Sequence, residues 1–119
     1  MADERRKKFE AAVKRERNRL RKIFSELPPK RLAVAYGLID QAARLKVQLD
    51  ELQEDIAENG ITELFQQSEK CEPYSRERPA YSAYLKADKN FQAVMKQLMD
   101  MVPADAETPE TMRNAFKCD

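Results

Sequence analysis

The chain of 119 residues has no histidine, no tryptophan, two glycines and two cysteines. Lack of histidine removes the commonest general base and the commonest metal ligand together. Ser25, Ser68, Ser75 and Ser82 therefore have no imidazole to activate them. A zinc site would need the distant thiolates of Cys71 and Cys118 plus carboxylates, so no metal and no other cofactor is expected. Those two cysteines belong to no paired motif and read as unreactive thiols. With Gly37 and Gly60 as the whole glycine complement, there is no Gly-rich phosphate loop. Carboxylate pairs such as Asp50 with Glu54, or Glu51 with Asp55, fall on the polar side of a helix and read as a solvated face. These absences together argue against an enzyme. No apolar run approaches the roughly 18 residues of a membrane span. The first residues, Met1-Ala2-Asp3-Glu4-Arg5-Arg6, are charged and lack the apolar stretch of a signal peptide. A soluble, intracellular protein is expected.

What the chain does have is charge, and it is unevenly placed. Charged residues make up 36% and hydrophobic residues 42%, the profile of one helix-rich domain with wide solvated faces and a thin core. Residues 1–31 hold twelve Lys or Arg against five Asp or Glu, while residues 32–119 hold ten against sixteen. A basic arm on an acidic body implies a polyanionic partner for the arm, or arm-to-body contacts between subunits. The arm's cations are Arg5, Arg6, Lys7, Lys8, Lys14, Arg15, Arg17, Arg19, Arg21, Lys22, Lys30 and Arg31, and they form the candidate DNA-binding set. Arginine's forked donors suit phosphate oxygens. The plainer reading is that these are solubilising charges, or partners for Glu51, Glu54 and Asp55. A membrane-surface helix ranks below both, because the arm has few large apolar residues.

The hydrophobic spacing predicts a mainly α protein. Phe9, Val13, Leu20, Ile23 and Leu27 repeat at helical spacing, so a basic first helix is expected from Asp3 to Leu27, ended by Pro28-Pro29. Pro29 opens a second helix that should run to Glu58, with Asn59-Gly60 as its stop. Along it Leu38, Ala42, Leu45, Leu49, Leu52 and Ile56 form an apolar seam that another helix must cover, from this chain or from a copy of it. A second stripe (Leu32, Tyr36, Ile39, Ala43 and Val47) implies a second neighbour. The connector, residues 60–78, has the makings of a short irregular β-hairpin, Ile61 to Phe65 returning as Glu72 to Ser75 with a turn near Lys70; a plain loop is the alternative. Pro79 opens the third helix, expected over 79–102, whose Tyr81, Tyr84, Leu85, Phe91, Val94, Met95, Leu98 and Val102 line one face. Tyr84, Phe91 and Leu98 join the seam residues as the candidate oligomer interface or core. Tyr81, Tyr84 and Phe91 read as core rather than as base-stacking groups, and Tyr74 is freer. The expected layout is a basic arm over 1–28, a long helical-hairpin oligomerisation core over 29–103, and a mobile tail over 104–119.

The run Leu49-Asp50-Glu51-Leu52-Gln53-Glu54-Asp55-Ile56-Ala57-Glu58-Asn59-Gly60-Ile61-Thr62-Glu63 closes a long helix. A polar connector follows, then a Pro79-initiated helix ending Lys96-Gln97-Leu98-Met99-Asp100-Met101-Val102-Pro103. This order of parts, over roughly residues 20–103, resembles small terminase subunits of tailed bacteriophages, in the compact variety of phages and prophages of Gram-positive bacteria. The resemblance implies a non-enzymatic viral genome-packaging protein in the host cytoplasm. Such a subunit forms a homo-oligomeric ring, engages double-stranded viral DNA and passes it to the large terminase subunit, an ATPase and nuclease. It implies no membrane and no small-molecule substrate. The competing expectation is a helical-hairpin structural or adaptor protein whose basic arm binds an acidic protein surface.

Overall fold

The computed structural model describes residues 2–102. Three helices carry the architecture: α1 (Ala2–Ile23), α2 (Pro29–Asn59) and α3 (Pro79–Asp100), with β1 (Thr62–Phe65) and β2 (Tyr74–Glu77) between the last two. The protein is mainly α with a small antiparallel hairpin, as the hydrophobic spacing predicts.

The 31 residues of α2 form the spine of the molecule. Its start needs no side-chain cap: Pro29 sits in the first turn, where a missing N–H costs nothing. Its end is a glycine in the left-handed region. Gly60 has φ 82°, and its N–H donates to the Ile56 carbonyl at 2.8 Å. Helices α1 and α3 each pack along α2. Arg5 pairs with Glu51 and Arg17 with Asp40, so α1 runs antiparallel to α2. Arg78 at the start of α3 reaches Asp55, while Arg31 donates to the Met101 carbonyl, so α3 is antiparallel as well. The result is an elongated body of 64 × 33 × 25 Å.

One continuous core joins the three helices. Val13, Leu20 and Phe24 enter it from the N-terminal side, Ala35, Ile39, Ala42, Ala43 and Val47 from α2, and Val94 and Leu98 from α3. With about 3.6 residues per turn, the stripe Leu32, Tyr36, Ile39, Ala43 and Val47 turns toward α1. The seam from Leu38 to Ile56 turns the other way, toward α3. Much of the cover that this seam requires therefore comes from the same chain. Ala42 and Leu49 are buried, while Leu38, Leu45, Leu52 and Ile56 stay half-buried. On α3, Leu98 is fully buried, and Tyr84 and Phe91 are half-buried.

Several boundaries differ from expectation, among them the returning strand, which spans Tyr74–Glu77 rather than Glu72 to Ser75 and so pairs Phe65 with Tyr74. Helix α1 ends at Ile23, four residues before Leu27: the N–H of the fully buried Phe24 still donates to the Leu20 carbonyl, and from Ser25 on the bonds tighten to the carbonyl three residues back. The Ser25 hydroxyl donates to the Lys22 carbonyl at 2.8 Å, and Leu27 N–H to the Phe24 carbonyl, closing a tight turn ahead of the prolines. Helix α3 stops at Asp100, two residues short of the expected end, with the Met101 N–H bonded back to Leu98 and Met99. The expected mobile tail, 104–119, lies outside the described residues, as does Cys118.

The hairpin pairs Thr62 with Glu77, Glu63 with Arg76, Leu64 with Ser75 and Phe65 with Tyr74. One face is organised by Arg76, which binds Glu63 at 2.9 Å and lies 3.6 Å over the Phe65 ring; Tyr74 meets that ring edge-on. On the opposite face Leu64 is 78% exposed. The hairpin's base is clamped by Arg78. Its side chain donates to the Gly60 carbonyl at 2.8 Å and to both Asp55 oxygens, and its N–H donates to the Ile61 carbonyl.

Candidate nucleic-acid interface

The twelve basic residues proposed from the sequence separate into two groups once α1 is docked. Five are engaged, four by the body and Arg19 within α1 itself. Arg17 turns inward to Asp40 at 3.3 Å with its guanidinium partly buried, and its Nε is buried without a hydrogen-bond partner. Arg5 lies 3.7 Å from Glu51. Arg19 is held by Glu16 one turn earlier, at 2.6 Å; the hydrogen bond it donates to Glu16 raises its pKa above the usual arginine value. Arg21 sits 4.5 Å over the Tyr36 ring. Arg31 is spent on the Met101 carbonyl.

The other seven are Arg6, Lys7, Lys8, Lys14, Arg15, Lys22 and Lys30. All are exposed, and no side chain among them makes a hydrogen bond or ion pair with another described residue. The separation follows from helical geometry. Phe9, Val13, Glu16 and Leu20 define the docked side of α1, and the residues opposite them point away from α2. From Lys7 onward that outer face has no acid, since Glu10 turns to Arg44 and Glu16 is half-buried beside Arg19. Exposed cations at this density attract polyanions.

One flank of α1 is different. A groove of about 460 Å³ between α1 and α2 is lined by Lys8, Arg15 and Arg19 on one wall and by Asp50, Glu51 and Glu54 on the other. The cations there face acids across open solvent. The plainer reading of the arm, charges serving the protein's own carboxylates, thus holds for part of the set.

Sequence reasoning missed two linking cations. Arg44 on α2 joins Glu10 of α1 to Asp40, and both carboxylates hold its proton more tightly, Glu10 foremost. Arg78 is the hairpin clamp, flagged in the sequence only by its place before Pro79. Its partner Asp55 is held below the usual carboxylate range, first by the Asn59 amide and then by Arg78. Neither belongs to a reactive cluster. Among the described residues no group of three or more His, Cys, Asp or Glu could hold a metal ion. No described helix is long and apolar enough to cross a membrane. Cys71 is exposed near the hairpin's tip, where the Ser68 hydroxyl donates to its sulfur at 3.3 Å.

Three helices in a row with a clamped β-hairpin between the last two define the class of fold. Compared with protein-family models, with curated proteins and with solved structures, the chain matches none of them.

Proposed function

We propose that the protein is a non-enzymatic viral DNA-packaging subunit of the small terminase kind, acting in the cytoplasm of a bacterial host. In this role it forms a homo-oligomer, binds double-stranded phage DNA and hands it to the large ATPase and nuclease subunit. One observation carries the reading: an outer α1 face on which Lys7, Lys8, Lys14, Arg15 and Lys22 are exposed without a bound acid. Phosphate binding needs cations that are not already paired, and this face supplies them. The half-buried remainder of the α2 seam, with Val34 63% exposed beside it, supports association with further copies.

Duplex binding measured against salt concentration tests the DNA half. With about six phosphates neutralised, the binding constant falls with a log–log slope near −5. The triple variant Lys14→Glu, Arg15→Glu, Lys22→Glu abolishes the binding and keeps the helical signal. Salt-independent binding, or none, removes this reading. Light scattering tests the oligomer; a lone folded chain at working concentration removes the ring.

The second reading is an adaptor whose basic arm grips an acidic protein surface. It is favoured by the way the arm already grips carboxylates, in Arg5 with Glu51 and Arg17 with Asp40. It predicts that the triple variant loses a protein partner while duplex affinity is negligible from the start.

A further inference from the structure

The outer face of α1 carries a pattern as well as a charge. Taking about 100° per residue, Lys7 and Lys14 form one row, continued by Arg21 where it stacks on Tyr36, and Lys8, Arg15 and Lys22 form a second. Each row advances seven residues, about 10.5 Å, per step. Between the rows runs a neutral ridge, Ala11 and Asn18. Asn18 is exposed, and its amide has no hydrogen bond to any described residue. No acid of α1 itself lies on this face beyond the first turn, where Asp3 and Glu4 stand, while Lys8 and Arg15 also border the groove whose far wall holds Asp50, Glu51 and Glu54.

Resting on the DNA reading above, we infer that α1 is a major-groove helix whose two basic rows meet the phosphate walls while Asn18 reads a base edge between them. The dimensions agree. Rows about 100° apart on a helix 10–12 Å across lie roughly 8–9 Å apart at its surface, and lysine and arginine tips reach further outward. A major groove about 12 Å wide admits such a helix, whereas a minor groove of about 6 Å does not. The chemistry agrees as well. Phosphate contacts fix position and carry no sequence information. A carboxamide offers one donor and one acceptor side by side, the pattern that matches adenine N7 and N6. Ala11, one heptad before Asn18, leaves room for close approach and suits a thymine methyl group. A lipid surface fits poorly, because the ridge between the cations has no large apolar side chain to bury.

The test uses the full chain. Duplexes randomised over about ten base pairs, one helical turn, are selected for binding, and the bound duplexes are probed by dimethyl sulfate at guanine N7, a major-groove atom. The wild type should enrich an adenine-containing step and protect guanines beside it. Asn18→Ala should fold normally, bind random duplex with the same salt slope, and lose about tenfold in preference for the enriched step. Lys14→Glu with Arg15→Glu should weaken binding to every sequence alike. Unprotected guanines, or an enriched sequence that Asn18→Ala leaves unchanged, overturn the groove assignment; salt-sensitive binding would then leave the DNA reading standing. Absence of binding to any duplex overturns both.

Discussion

The two sides of α2 are held by different chemistry. Toward α1, ion pairs run along the interface at Glu51, Arg44 and Asp40, and Arg21 stacks on Tyr36. Beneath them Val13 and Leu20 reach the core. Toward α3, the side-chain polar links stand at the two ends, Asp55 with Arg78 and Arg31 with Met101. The stretch between is apolar, around Ala42, Leu45, Val94 and Leu98. One side is laced by charges that salt can screen, and the other is closed mainly by burial. A cation drawn into the lacing is no longer offered outward. The side of the molecule richest in positive charge is therefore also the side where charge is partly committed to structure.

The largest expected effect tests the apolar layer shared by both sides. Phe24→Ala removes a fully buried ring and should cost about 3–5 kcal/mol, read by urea denaturation. A loss below about 1 kcal/mol would mean that the turn after α1 is not part of the core. Next comes the α3 side. Arg78→Ala deprives Asp55 and the Gly60 carbonyl of their donor and should cost about 1–3 kcal/mol. Its signature is local: amide exchange should rise in β1 and β2 before it rises in α2. Smaller still is the lacing. A double-mutant cycle on Arg17 and Asp40 should return about 0.2–1 kcal/mol, shrinking at high salt; an undiminished coupling would show the pair to be shielded from solvent.

The smallest effect concerns acid. Asp55 titrates lower in the folded protein than its ordinary value of 3.8. Its contribution is thus fully present above that value and is lost as pH falls through the lower folded value. Acidification below about pH 4 should loosen the hairpin's base ahead of α1, and Asp55→Asn should remove that acid dependence. Exchange rates that rise together in both regions would erase the distinction.

How much of this was legible beforehand depends on whether the cause is local. Pro28-Pro29, Gly60 and Pro79 act on their own dihedrals, so the bounds of α2 and the starts of α2 and α3 follow from the sequence. The hairpin was legible as a short strand from Ile61 to Phe65 returning near Tyr74, with a plain loop as its rival, but its register was not, and the returning strand lies two residues later than Glu72 to Ser75. The early end of α1 was not legible, because the tightening to bonds three residues back, from Ser25 to Lys22 and from Leu27 to Phe24, carries no glycine or proline of its own to announce it. The sorting of twelve cations into engaged and free depends on which carboxylates of α2 lie opposite, as with Arg17 and Asp40. Two arginines two residues apart, Arg15 and Arg17, read alike in sequence and end on opposite sides of that division. Reversing Arg17 would for that reason damage α1's seating as well as any ligand surface, and Arg15 is the cleaner probe.

Ala35, Ala42 and Ala43 have no exposed surface and share one cluster with residues of both flanking helices. The spine is thin there, with three buried methyl groups standing in the shared core. Enlarging any of these methyls would push outward on more than one wall, so the flanking helices cannot change size independently of each other. A wider residue in the waist would have to be answered by trimming on the opposite bank.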